Sequence, residues 1–108
     1  MQPSMGDLEF SVLLAVAREA DAAYGAAIRR DVSTRARRDY SVGAIYSTLQ
    51  RLEDKRLLTS RESEPMPVRG GRARRYFMLT VSGRGALRAA AKARRAQLRD
   101  LPFGWRPA

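Results

Sequence analysis

Arg69, Arg72, Arg74 and Arg75 fall within seven consecutive positions, RGGRARR, with Gly70 and Gly71 between them and YFMLT directly behind. Guanidinium groups crowded in this way repel one another in the free protein. Against a phosphate backbone the same crowding becomes favourable, because each arginine can neutralise a phosphate and release its counterion. The two glycines let a turn follow a sugar-phosphate surface without Cβ clashes. The plainer alternative is a solvated loop in an arginine-rich protein, and the elements around the cluster decide between the two.

The wider composition narrows the chemistry. Lys and Arg outnumber Asp and Glu by 21 to 11, a formal net charge of +10 in 108 residues. Solubility alone is served by a charge of about 2 to 8 on a small domain. The excess points to a polyanionic partner, nucleic acid first and an anionic membrane second. The chain holds no cysteine and no histidine. That removes disulfides, thiolate and imidazole metal ligands, and every Ser-His-Asp arrangement. The acids are scattered singly, so no enzyme, metal site or cofactor is expected. MQPSMGDLEF lacks the basic and apolar regions of a signal peptide. Its apolar runs fall far short of the roughly 20 residues that cross a membrane. A cytoplasmic protein with no membrane partner is expected.

Hydrophobic spacing places the elements. A content of 44% apolar residues suits one domain with a modest core. Ser4 and Asp7 have capping-box spacing ahead of a first helix, with Leu8, Val12 and Val16 on a stripe widened by Phe10, Leu13, Leu14 and Ala17. A second helix over about 23–36 sets Tyr24, Ile28 and Val32 on one face beside Ala27. Its internal Gly25 costs roughly 1 kcal/mol against alanine, so a close approach to the backbone is expected there. The third helix, 41–56, starts at Ser41 as N-cap and buries Val42, Ile45, Leu49 and Leu52. Gly43, Ala44, Tyr46, Ser47, Thr48, Gln50 and Arg51 fall on its opposite face, with no acid among them.

Beyond Leu57 the period changes. LLTSRES and ARRYFMLT read as two strands around EPMPVRGGR, a hairpin with a long tip. In the second strand Arg75, Phe77 and Leu79 alternate with Arg74, Tyr76 and Met78. Thr80 is the expected N-cap of a last helix over 81–101. There Leu87, Ala91, Arg94, Leu98 and Leu101 form a coiled-coil seam suited to pairing with a second copy. Residues 102–108, with Trp105, are expected to be a flexible tail.

Three helices, a hairpin and a further helix make a mainly α chain: a winged helix-turn-helix at 4–80 and a dimerisation helix at 81–101. A helix enters the major groove and reads bases with short polar side chains near its N-terminus. The wing at 64–76 can lie on the backbone or in the minor groove, where narrow A·T tracts attract arginine.

LEFSVLLAV, AYGAAIRRDV, SVGAIYSTLQRLEDKRLL and GGRARRYFMLTVSGRGAL together resemble the PadR family of transcriptional regulators, in a short form with a single C-terminal helix. The resemblance implies a homodimeric repressor on a palindromic double-stranded operator. It places Tyr24, Ser41, Gly43, Tyr46 and Ser47 at the DNA, with Arg72, Arg74 and Arg75 of the wing. Arg69, Gly70, Gly71 and Arg51 complete the expected contact set. Each has a structural alternative: a core aromatic for Tyr24 and Tyr46, helix packing for Gly43, a cap for Ser41 and a core-rim acid for Arg51. Small-molecule effectors of such proteins act near the C-terminal helices, and this helix lacks aromatics unless Trp105 supplies one. The rival reading is a basic RNA-binding or architectural protein without sequence preference.

Overall fold

The structure, a computed structural model, describes residues 5–65 and 73–102. Helix α1 (Asp7–Glu19) is capped at Gly6, whose N–H donates to Glu9 Oε1 at 3.1 Å. Ser4, the expected cap, lies outside the described residues, and the reciprocal acid is Glu9 rather than Asp7. Val12, Leu13, Ala15 and Val16 are buried, whereas Ala17 is exposed and does not belong to the stripe. A 3₁₀ turn (Ala20–Ala22) leads to Tyr24, the N-cap of α2 (Gly25–Ala36). Gly25 is therefore not internal but the first helical residue.

Helix α3 (Val42–Asp54) begins where expected, with Ser41 Oγ accepting the Ala44 N–H at 3.1 Å. Ile45, Leu49 and Leu52 are buried. Val42 is not. It occupies the first helical position, projects past the end of the core and is 52% exposed. Thr48, expected on the outer face, is instead 2% exposed and returns its hydroxyl to the Ala44 carbonyl at 2.8 Å. The back-bond satisfies the hydroxyl in a site closed to solvent.

Strands β1 (Leu58–Glu62) and β2 (Arg75–Leu79) pair antiparallel, from Leu58 opposite Leu79 to Glu62 opposite Arg75. Phe77 turns into the core with Leu58, where each such side chain is worth about 1.5–3 kcal/mol on burial. The Phe77 N–H also donates to the Ala23 carbonyl at 2.8 Å, and Tyr24 bridges Tyr76. The foot of α2 is thereby stitched to the hairpin.

Helix α4 (Val81–Gln97) is capped by Thr80, whose hydroxyl accepts the Gly83 N–H at 2.9 Å and donates to the Arg56 carbonyl at 2.7 Å. Gly83 is required here, because a Cβ would overlap the Leu57 carbonyl oxygen. The helix stops at Gln97, short of 101. Leu98 is its C-cap, Asp100 has a positive φ, and Pro102 cannot continue a helix.

At about 100° per residue α4 presents three faces. Gly83, Leu87, Ala90 and Arg94 face the chain's own core. Ser82, Gly85, Ala86, Ala89 and Ala93 form a face of small residues. Arg84, Arg88, Lys92 and Arg95 form a basic one. Among the described residues no helix is long and apolar enough to cross a membrane.

Candidate nucleic-acid interface

The exposed end of α3 presents Ser41, Val42, Gly43, Tyr46, Ser47 and Gln50. Arg29 fixes the turn before it, donating to the Tyr40 carbonyl at 2.7 Å and pairing with Asp39 at 3.3 Å. Tyr40 N–H donates to Ser33 Oγ at 3.2 Å. These bonds set the angle at which α3 leaves α2. Sequence reading missed Arg29 because its partner is a backbone carbonyl, which carries no residue type.

A Cβ built on Gly43 meets nothing within 4 Å. Packing therefore does not demand this glycine, and the space above it is free for a partner. Tyr46 is 48% exposed and is not a core aromatic. Its hydroxyl end rests where a Cβ of Gly25 would stand, which is the close approach expected at that glycine.

Tyr24 is half-buried and belongs to a stack. Arg74 lies over its ring at 4.2 Å, Tyr76 meets it edge-on at 5.8 Å and 65°, and Arg61 lies over Tyr76 at 5.0 Å. A guanidinium stacked on a ring is held by its face and keeps its in-plane N–H donors for another acceptor. The arrangement thus fixes Arg61 and Arg74 at the foot of the wing with donors to spare. Arg61 and Tyr76 were absent from the expected contact set. Cross-strand pairing of Arg61 with Tyr76 brings them in, and only the hairpin register reveals that.

Arg75 is committed differently. It donates to Ser60 Oγ at 2.9 Å and Glu62 Oε1 at 3.1 Å, across the hairpin. So exposed a pair is worth little, and a phosphate can replace it. Arg69, Gly70, Gly71 and Arg72 lie outside the described residues. Arg51 is exposed and makes no ion pair with the described residues, so the core-rim pairing is not formed there; its charge is the smallest of the influences on Glu9.

Glu9 is 7% exposed, and Lys55 Nζ donates to it at 2.8 Å. Burial alone would raise its carboxyl. Hydrogen bonds from Lys55 and the Gly6 N–H, with the charges of Lys55 and Arg51, hold it below the ordinary value. Asp31 is held low chiefly by hydrogen bonding to Arg18, against an opposing push from burial.

The expected pairing seam on α4 needs correction. Leu87 packs on the chain's own core. Arg94 lies 4.0 Å over Phe10, pairs with Asp7 at 3.1 Å and reaches the Met5 carbonyl at 3.4 Å. Ala91 is half-buried on the same side, Leu98 is 50% exposed beyond the helix, and Leu101 is half-buried. The first part of the seam is thus used inside the chain, because α1 offers it both an aromatic ring and a carboxylate. Beside its basic face, α4 also leaves open a face of small residues. That face borders a groove of about 860 Å³ lined by Met5, Glu9, Leu52, Lys55, Ala86 and Ala89.

The profile of the transcriptional regulator PadR-like family matches residues 13–89. A PadR family transcription regulator from Clostridium difficile R20291 superposes with a TM-score of 0.69 at 26% identity, over 85% of this chain and 91% of that one. A PadR-like transcription factor from Bacteroides fragilis gives 0.69 at 26%, over 83% and 82%. A Streptococcus transcriptional regulator gives 0.68 at 27%, over 83% of each chain. No curated protein sequence matches significantly.

Proposed function

Because this chain belongs to the PadR-like family of transcriptional regulators, and is therefore a DNA-binding regulator rather than an enzyme, we propose that it is a homodimeric repressor of a palindromic operator. Helix α3 enters the major groove, where Ser41, Gly43, Tyr46 and Ser47 meet the bases and the adjoining backbone. Tyr24, Arg61, Arg74, Arg75 and Tyr76 hold phosphates at the foot of the wing, and Arg69, Gly70, Gly71 and Arg72 belong to the same contact set. Arg51, exposed and without an ion pair among the described residues, stays in the contact set.

The observation that carries this reading is the Tyr24 stack: α2, α3 and the hairpin meet at one place, with stacked guanidiniums beside an open, acid-free helix end. A small, polar helix end supplies discrimination, and adjacent fixed cations supply affinity. Residues 4–80 act as the DNA-binding unit and α4 as the pairing element. Pairing uses the small-residue face and the groove beside it, since close helix approach suits alanine and glycine. Two copies then present two α3 helices to successive major grooves, and an occupied operator blocks transcription.

Selection from a library of random duplexes at about 150 mM salt tests the proposal. An enriched inverted repeat with half-sites about one helical turn apart is the expected result. Sequence-blind, steeply salt-sensitive binding would instead favour a basic architectural or RNA-binding protein.

A further inference from the structure

The basic face of α4 takes no part in the contacts above. Arg84, Arg88, Lys92 and Arg95 are all exposed, and none joins an ion pair among the described residues. Every Asp and Glu of the chain lies within those residues, and α4 itself contains no acid. Helix stability accounts for only part of the arrangement. The dipole favours Arg95 in the last turn, but Arg84, Arg88 and Lys92 stand four residues apart on one face, where like charges repel. The charge is left for a partner outside the chain.

Its geometry selects the partner. A membrane-surface helix needs a broad apolar face beside its basic one, whereas here one flank is packed on the core and the other is alanine and glycine. Protein surfaces mix charges of both signs over short distances. A duplex carries charge of one sign about every 1.7 Å along its axis, and the stripe from Arg84 to Arg95 runs about 17 Å. The face is also remote from the reading end of α3. The groove beside α4 contains Leu52 and Lys55, so α4 packs near the opposite end of α3 from Ser41, a separation of about 20 Å along that helix.

We propose that Arg84, Arg88, Lys92 and Arg95 form a second, sequence-blind site for duplex DNA, which lets an operator-bound molecule hold a further DNA segment. The inference rests on the reading of α3 and the wing as the operator site. Contacts are to phosphate, because a row of exposed cations with no short hydrogen-bonding side chain among them supplies charge without positioned base readout.

Two experiments on the full chain decide it. A selected 30-base-pair duplex and an unrelated one, carrying different fluorophores, are mixed with the protein and scored for bridging. Operator affinity is measured separately on the single selected duplex. The wild type is expected to bridge. The triple variant Arg84→Gln, Arg88→Gln, Arg95→Gln is expected to lose bridging while its operator Kd stays within about twofold. Glutamine retains helix propensity, and circular dichroism checks the fold. The salt slope of bridging should fall by about one unit per arginine removed. Bridging that survives in the variant, its absence in the wild type, or a parallel loss of operator affinity each overturns the proposal. Failure of the operator reading shows separately, as equal affinity for selected and unrelated duplexes, and bridging between two unrelated duplexes can still be scored.

Discussion

The hydroxyl end of Tyr46 on α3 occupies the place where a Cβ of Gly25, the first residue of α2, would stand. A side chain with nearly half its surface exposed is thus seated on the backbone of a neighbouring helix. The exposed tyrosine is held in one orientation by a missing methyl group, and the glycine is explained by the tyrosine.

Three glycine-to-alanine substitutions should therefore separate in thermal melts. Gly43→Ala places its methyl in open space and gains helix propensity, stabilising by up to about 1 kcal/mol. Gly25→Ala meets the movable end of Tyr46 and should cost about 1 kcal/mol or less, with altered DNA discrimination as Tyr46 swings away. Gly83→Ala meets the Leu57 carbonyl, which cannot swing aside, and should cost about 2 kcal/mol or more. A different order of melting temperatures would contradict the close approaches described.

Arg61→Ala and Arg74→Ala should each weaken binding to all duplexes alike and reduce the salt slope by about one unit. Tyr76→Phe keeps both ring contacts and should bind as the wild type does. Tyr76→Ala frees Arg61 and the edge of Tyr24 and should weaken binding by several-fold through lost preorganisation. Titration at three or more salt concentrations checks this, and identical behaviour of the Phe and Ala variants would remove any role for the stack.

Ser47→Ala and Tyr46→Ala belong to the other class. Each should change the ratio of operator to random-duplex affinity, by about 1 kcal/mol for the loss of one hydroxyl hydrogen bond, and leave the salt slope in place. Competition binding reads the ratio directly. Equal losses on both duplexes would place these residues on the backbone instead.

Ala86→Glu and Ala89→Glu put carboxylates on the small-residue face of α4 and should produce monomers in sedimentation. Leu98→Asp, beyond the end of the helix, should leave the dimer largely intact. The reverse pattern would return the interface to the originally expected seam.

Acid should destabilise the protein through Glu9 and Asp31. Both carboxyls titrate below their ordinary values of 4.5 and 3.8. A group depressed in this way stabilises the fold above its unfolded pKa and loses that contribution as pH falls through the folded one. Their contribution is thus complete above about pH 5 and drains away below it. The double variant Glu9→Gln, Asp31→Asn should show a shallower loss of melting temperature between pH 5 and pH 2. An equally steep acid limb would assign acid sensitivity to other groups.

Much of this molecule was legible in its residues. Ser41 and Thr80 announced two helix starts because a side-chain cap is a local bond between residues three apart. Ile45, Leu49 and Leu52 announced the buried side of α3, since helical period converts spacing into direction. The change of period after Leu57 marked the hairpin, and the arginine cluster with the net charge marked a polyanion as partner. Local chemistry and periodicity are properties of the chain itself.

Tertiary structure decided the rest. Thr48 rather than Val42 is buried, because the core ends before the first turn of α3 and reaches round to Thr48. Arg94 turns inward, because α1 places Phe10 and Asp7 opposite it, and the seam read from α4 alone had no knowledge of that neighbour. Arg61 and Tyr76 join Tyr24 and Arg74 only once the strands pair in register. Gly25 and Gly83 acquire their reasons from Tyr46 and Leu57, distant in sequence and touching in space. What a residue does by its own bonding the chain states outright; what it does by whom it touches depends on contacts that folding alone creates.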